Sequence, residues 1–111
     1  MHPLVVGKNY CLRLPDGRTL GHVHVVRLVD SWAEGPFSPS PDFEQFREIF
    51  ESESKLRQTQ IIPLWEQVAD RIDALGIQVV EEGAGPVLPQ VRVFVEGNEA
   101  ILGPALPEGV G

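Results

Sequence analysis

Apolar and polar residues alternate near the start of the chain in a way that is typical of two antiparallel strands. Residues 8–14 and 18–29 are rich in Val, Leu and Tyr, and the segment Leu14–Arg18, Leu-Pro-Asp-Gly-Arg, joins them. In that segment proline pre-sets φ for the first turn position, and glycine accepts a positive φ. The sequence therefore predicts a three-residue hairpin loop, a type I turn closed by a glycine bulge, with Leu14 opposite Arg18.

This turn also predicts the register of the hairpin. Cys11 is expected opposite Gly21, and Tyr10 opposite His22. Because side chains alternate along a strand, one face is expected to carry Tyr10, Leu12, Leu14, Leu20, His22, His24, Val26 and Leu28. The other face is expected to carry Cys11, Arg13, Thr19, Val23, Val25 and Arg27.

Helical periodicity begins after residue 40. Residues 30–40 contain several turn formers and are predicted to be irregular. Ser40 is then expected to be the N-cap of a first helix, with Pro41 at the first position, where its missing N–H costs nothing. An apolar stripe follows at helical spacing, formed by Phe43, Phe46, Ile49 and Phe50 and extended by Leu56.

A second helix and a second hairpin are predicted in the rest of the chain. The helix spans residues 63–75 and ends at Gly76 as its C′ residue. Its apolar stripe consists of Ile61, Leu64, Trp65, Val68, Ile72 and Leu75. Strands are expected at 77–80, 91–95 and 99–102, the last two joined by a tight turn at Gly97-Asn98.

The order of these elements predicts an α+β fold. An antiparallel sheet built from two hairpins, in the order β-β-α-α-β-β-β, would carry both helices on one face and so bury both apolar stripes. Residues 1–103 are expected to form a single domain, and residues 104–111 a flexible C-terminal tail rich in Pro, Gly and Ala.

Composition narrows the class of protein. The chain of 111 residues is one domain in size and has a single cysteine, Cys11, so an internal disulfide and a multi-cysteine zinc site are excluded. No apolar run is long enough to span a bilayer, and the first residues lack the basic region of a secretory signal. A cytoplasmic location is the default expectation.

The net charge of −7 is unevenly distributed. Residues 1–30 carry +2, whereas residues 31–111 carry five basic and fourteen acidic side chains. Nucleic-acid binding needs clustered Lys and Arg, and anionic membranes attract basic surfaces, so the sequence predicts neither partner. The acidity is compatible with a basic protein partner or with a solubilising surface alone.

The histidines at positions 22 and 24 are the sharpest chemical signal. Residues at i and i+2 project to one face of a strand, as in some zinc sites, but a zinc site needs at least one more ligand. The predicted register puts Cys11 on the opposite face, leaving His2 or a helix carboxylate. The alternative is that one of the two imidazoles packs beside Tyr10 and the other lies at the sheet edge, and that Cys11 is a small buried hydrophobe.

The acidic residues of the helices favour solvated faces over acid–base chemistry. Two triplets follow the i, i+4, i+7 pattern, namely Glu44, Glu48 and Glu51, and Glu66, Asp70 and Asp73. Both lie away from the apolar stripes, so nothing in the sequence indicates the burial that a raised pKa requires. No nucleophile, base and oxyanion donors can be assembled, which favours a non-catalytic function.

Trp32 and Phe37 lie among prolines, and water is a poor environment for both rings. They either cover the core or form a rigid apolar patch for a partner. The first hypothesis is therefore a protein-interaction module that binds another protein or its own copy. Trp32 and Phe37 would anchor the partner, and Glu44, Glu48 and Glu51 would select a basic one. The alternative is a metal- or small-ligand-binding domain centred on His22 and His24, with zinc as the metal.

Overall fold

A computed structural model describes residues 4–29, 32–83, 87–88 and 91–104. In chain order these form β1 (Asn9–Arg13), β2 (Thr19–His24), β3 (Arg27–Val29), β4 (Trp32–Pro39), a 3-10 helix (Pro41–Gln45), α1 (Arg47–Thr59), α2 (Ile62–Asp73), β5 (Gln78–Glu81), β6 (Val87–Leu88), β7 (Val91–Glu96) and β8 (Glu99–Pro104). Every described strand pair is antiparallel. The α+β class is confirmed.

The sheet has the strand order β6-β5-β1-β2-β4-β8-β7, and β3 pairs with β4 beside this path. Strand β4 joins the two halves, because its last residues pair with β2 while its first residues pair with β3 and β8. The predicted sheet of two hairpins is therefore incomplete. It lacks β4 and the short β6, and its predicted strand 18–29 is divided into β2 and β3.

Strand β4 occupies most of the segment that was predicted to be irregular, so that prediction is wrong. Alternation was present in the segment, since Ala33, Gly35 and Phe37 are buried in turn. It was hidden because two of these buried residues are too small to look apolar, and because prolines lie between them. Gly35 is required where β4 passes β2, since a Cβ there would clash with the carbonyl of His24.

The predicted turn of the first hairpin is confirmed. The amide of Gly17 donates to the carbonyl of Leu14 at 2.9 Å, the amide of Leu14 donates to the carbonyl of Arg18 at 2.8 Å, and Gly17 has φ +96°. Asp16 completes the loop by accepting a hydrogen bond from the amide of Arg18 at 3.0 Å.

The predicted register beyond the turn is wrong by one residue. Arg13 pairs with Thr19 but Leu12 pairs with Gly21, so Leu20 is an extra residue that forms a β-bulge. Cys11 consequently lies opposite His22, and the two histidines lie on the exposed face. The bulge allows Leu20, Val23 and Val25 of the returning chain all to be buried.

The helices begin and end close to the predicted residues, with two differences. The chain after Ser40 first forms the 3-10 helix and becomes α-helical only at Arg47. The hydroxyl of Ser40 donates to the carbonyl of Thr19 instead of capping the helix. Most of the predicted stripe of α2 faces the core, since Ile72 is buried and Trp65, Val68 and Leu75 pack against the core. The first two residues of the stripe do not, because Ile61 and Leu64 are 44% and 49% exposed.

The helices pack against each other and against β7. One face of β7 places Val91, Val93 and Val95 in the core, while Phe94 is buried on the other face. Because Phe94 is buried as well, side chains of α1 and α2 reach the face of the sheet that carries Phe94. We call this face the outer face.

None of the helices in the described ranges is long and apolar enough to cross a membrane. Strand β8 extends to Pro104, the first residue of the predicted tail. Residues 105–111, the rest of that tail, lie outside the described residues.

Candidate functional site: an aromatic groove beside an open strand edge

An apolar groove of about 410 Å³ lies on the outer face of the sheet. We call it the Trp32 groove, and it is lined by Val29, Trp32, Glu34, Arg57, Trp65, Arg92, Phe94 and Ile101. Three of the eight aromatic side chains of the chain, Trp32, Trp65 and Phe94, line it. Such rings supply a large contact area for little loss of side-chain entropy.

Strand register explains how the floor of the groove forms. Glu34 pairs with Ile101, and Ile101 pairs with Phe94, so these side chains form a row across β4, β8 and β7. Trp32 lies in the next row beside Val29 of β3. Its ring stacks on Phe94 with the ring centroids 6.0 Å apart.

Gly103 gives the indole of Trp32 a place to lie. A Cβ on Gly103 would clash with the six-membered ring of Trp32, so the indole rests directly on the backbone of β8. Pairing an aromatic ring with a glycine in this way covers the glycine backbone in a sheet. The position of Trp32 therefore depends on the neighbouring strand.

The walls of the groove are held by Glu53 of α1, whose side chain is completely buried. Its carboxylate accepts two hydrogen bonds from the guanidinium of Arg57, at 2.7 and 3.2 Å. It also accepts one from the indole nitrogen of Trp65, at 2.7 Å. Burying a carboxylate is costly unless it is paired, so this network fixes both wall residues.

Both arginines of the groove are already neutralised. Arg57 contacts Glu53 and also donates to Glu96 at 3.0 Å, and Arg92 donates to Asp73 at 2.8 Å. The hydrogen bonds to Glu53 raise the pKa of the Arg57 guanidinium above its usual value. The guanidinium carbons of Arg57 and Arg92 lie 5.8 and 5.3 Å, respectively, from the ring centre of Phe94.

Around the groove, acidic side chains outnumber basic ones. Arg27 contacts two carboxylates, Glu34 at 2.5 Å and Glu99 at 3.8 Å. The hydrogen bond to Glu34 raises the pKa of Arg27 above its usual value. The ion-pair networks that include the groove residues contain three arginines, Arg27, Arg57 and Arg92, and five acids, Glu34, Glu53, Asp73, Glu96 and Glu99.

The predicted partner-binding residues are separated by the fold. Trp32 lines the groove, but Phe37 is only 6% exposed and packs edge-on against Phe43, with ring centroids 5.1 Å apart. Its ring therefore belongs to the core, and it offers no contact surface.

The predicted acidic residues Glu44, Glu48 and Glu51 are exposed on the 3-10 helix and α1. Glu44 pairs with Arg47, which holds the pKa of Glu44 below its usual range. Glu51 lines a second, more polar depression of about 280 Å³ beside Asn98. None of the described contacts joins these three glutamates to Trp32.

The predicted metal ligands His22 and His24 lie on the exposed sheet face, each with its own partner. His22 Nδ1 is 2.5 Å from Glu82, and His24 Nδ1 is 2.7 Å from the side-chain oxygen of Asn9. Within the described ranges, no three His, Cys, Asp or Glu side chains are arranged to hold a metal ion. His2, the suggested additional ligand, lies outside these ranges.

Cys11 is half-buried, and the structure corrects its placement. The bulge at Leu20 puts Cys11 directly opposite His22, on the same face and not the opposite one. Its thiol lies 3.8 Å from the hydroxyl of Thr19.

Sequence reasoning missed Trp65, Phe94 and Glu53 as members of a site. Trp65 was assigned to the apolar stripe of the second helix and Phe94 only to a predicted strand, so neither was considered as a binding residue. A signal for Glu53 did exist, because it lies three residues after Phe50 on the apolar side of the helix.

No family model, curated protein or solved structure matches this chain.

Proposed function

We propose that this chain is a small, non-catalytic protein-binding domain whose main contact surface is the Trp32 groove. The observation that carries the proposal is the clustering of Trp32, Trp65 and Phe94 in one open groove, with Trp65 held by a buried carboxylate. Protein interfaces favour such aromatic anchors in pockets surrounded by polar side chains.

Each part of the groove has a role in this proposal. Trp32 and Val29 contact an apolar side chain of the partner, and Phe94 with Ile101 forms the floor. The surplus carboxylates at the rim, Glu96 and Glu99, favour a basic partner. The exposed glutamates of α1 add long-range attraction, which raises the association rate more than the affinity.

The experiment is affinity capture from a lysate of the source organism, followed by quantitative mass spectrometry. The immobilised proteins are the wild type, Val29→Lys, Trp32→Ala and the control Leu64→Lys. Val29 and Leu64 are 43% and 49% exposed, so the two lysine variants disturb folding equally little.

We expect the wild type and Leu64→Lys to retain a stoichiometric partner that salt elutes, and Val29→Lys and Trp32→Ala to lose it. A partner that all four proteins retain would exclude the groove as the contact surface. An empty eluate from the wild type would refute the protein-binding function. Urea unfolding of Trp32→Ala shows whether its loss of binding reflects loss of folding.

A second candidate function is zinc or small-ligand binding at His22 and His24. It is favoured by two separate observations, the pairing of Cys11 with His22 and the contact of His22 with Glu82, although these side chains are not arranged as a metal site among the described residues. Elemental analysis of protein never exposed to chelator should then find zinc, and His22→Ala should lose it. Metal-free wild-type protein that takes up no added zinc would eliminate this candidate.

A further inference from the structure

We infer that the partner segment binds as an additional β-strand beside β3, with its side chains directed toward the Trp32 groove. The inference rests on the proposed function and specifies how the partner binds. Strand addition of this kind obtains affinity from backbone hydrogen bonds and specificity from pockets for alternate side chains.

Strand β3 has an open edge among the described residues. It pairs with β4 on one side, and none of the described strands pairs with its other side. All three of its residues, Arg27, Leu28 and Val29, are exposed. Backbone N–H and C=O groups on such an edge are free to form a ladder with another chain.

Exposed apolar side chains gather around this edge. Five of the nine large hydrophobic residues that are exposed in the described ranges lie here: Val5, Val6, Val26, Leu28 and Val29. The amide of Gly7 donates to the carbonyl of Val25 at 2.8 Å, which places the Val5–Gly7 segment just beyond the start of the open edge. A strand added at the edge would cover apolar surface as well as backbone.

The register connects the open edge to the groove. Val29 pairs with Trp32 and Arg27 pairs with Glu34, so these four side chains share the face on which the groove lies. An added strand continues the same alternation, and every second side chain then projects beside Val29 toward Trp32. The intervening side chains meet Leu28 on the opposite face.

Charge favours a basic segment of another protein over a second copy of this chain. The carboxylates around the groove outnumber the arginines, and Glu99 and Glu96 are 52% and 43% exposed at its rim. A second copy carries the same net charge of −7 and would be repelled. The predicted occupant is therefore an extended segment in which apolar residues alternate with Lys or Arg.

The probe is found by selecting a phage library of random dodecapeptides on the immobilised full chain. We expect enriched peptides with alternating apolar and basic residues, whose binding weakens in salt. Bound peptide should slow hydrogen exchange at those backbone amides of Arg27–Val29 that point away from β4, since successive amides of a strand point to opposite sides. These amides report strand addition directly, because contact with the groove alone would leave them open.

A methylation series on the enriched peptide supplies a matched control. Methylating the backbone nitrogens that face β3 should weaken binding about tenfold or more, since several ladder hydrogen bonds are lost. Methylating the alternate nitrogens, which face away, should leave the affinity nearly unchanged. The two peptides have the same side chains and the same number of methyl groups.

The other outcomes separate this inference from the proposed function. Peptides that need Trp32 but tolerate both methylation patterns, with no protection of β3, would overturn strand addition and leave the groove as the binding site. A library without enriched peptides would overturn both. A dimer of the chain alone in sedimentation, in which the amides of β3 that point away from β4 are already protected, would overturn the inference and assign the edge to a second copy.

Discussion

Glu53 is the single residue on which the groove depends most. It is the largest departure from the usual rule that acidic side chains stay exposed, and its carboxylate is satisfied by Arg57 and Trp65. A buried pair of this kind is weak support for stability in itself, but removing one partner is costly because the other is left unpaired. The residue therefore connects the core of α1 to the shape of the groove.

Glu53→Ala should lower the free energy of unfolding by about 2–3 kcal/mol. This is somewhat less than the loss expected for a fully buried pair, because Arg57 would still pair with Glu96 and remain partly exposed to water. Glu53→Gln keeps an acceptor for Trp65 and should cost less. Glu48→Ala, on the exposed side of the same helix, should stay within about 0.5 kcal/mol of wild type. Urea unfolding measures all three, and equal losses at positions 53 and 48 would contradict the network.

At the scale of elements, β4 determines where the Trp32 groove lies. It pairs with β2 through Phe37 and with β8 through Ala33, so one strand belongs to both halves of the sheet. Glycines make the close approaches possible, Gly35 beside the chain of β2 and Gly103 beneath Trp32. The groove is thus a product of strand packing as much as of the residues that line it.

Gly103→Ala should displace the indole of Trp32 and cost about 1–3 kcal/mol of stability, because the new methyl group overlaps the ring. The tryptophan fluorescence should shift as the ring moves. In the double variant Gly103→Ala/Trp32→Leu the clash is removed. Its loss of unfolding free energy should therefore be smaller than the sum of the losses in the two single variants. Additive losses in that double-mutant cycle would show that the ring does not rest on β8.

At the scale of the whole molecule, carboxylates that accept hydrogen bonds from arginines link the stability of the fold to pH. Two exposed carboxylates have pKa values below the usual range. The pKa of Asp16 is lowered mainly by the hydrogen bond from the backbone amide of Arg18, and next by the hydrogen bond from the Arg18 side chain. The pKa of Glu44 is lowered mainly by the hydrogen bond from the side chain of Arg47. A folded-state pKa below the unfolded value favours folding only while the carboxylate is ionised.

The melting temperature should therefore fall as the pH drops from the ordinary carboxylate range, about 3.9–4.3, through these lowered values. The double variant Asp16→Asn/Glu44→Gln should be less stable than wild type near neutral pH, and the difference should vanish in acid. Circular dichroism melts across this range test both statements. A difference that grows toward acid would contradict the direction of the shifts. Asp70→Asn serves as the control, because Asp70 is exposed and forms no ion pair with another described residue.

Local features were predictable because their causes lie within a few residues. The turn at Leu14–Arg18 follows from proline and glycine at fixed positions, and the turn at Gly97 forms as predicted, with a positive φ at that glycine. The helices follow from apolar periodicity, with Gly76 in the left-handed region after the second one. Each of these preferences acts through the backbone of the residue concerned or through near neighbours on one element.

Register and burial were not predictable in the same way. Adding Leu20 as a bulge reverses which face carries His22 and His24, and the gain that favours it is burial of Val23 and Val25 against distant strands. Ile61 and Leu64 look like core residues in a helical stripe, but α2 turns only its later residues toward the core. Such choices depend on which surfaces the other elements leave uncovered.

By itself the sequence determined the first hairpin turn, the existence of both helices, the α+β class and the acidity of the surface, since these follow from backbone preferences, periodicity and composition. Only the tertiary structure decided that β4 exists, that Phe37 is in the core, and that Trp32 meets Trp65 and Phe94 in an open groove. The physical reason is that burial is a property of the whole packed molecule. A tryptophan is a core residue or a binding residue according to what its distant neighbours cover.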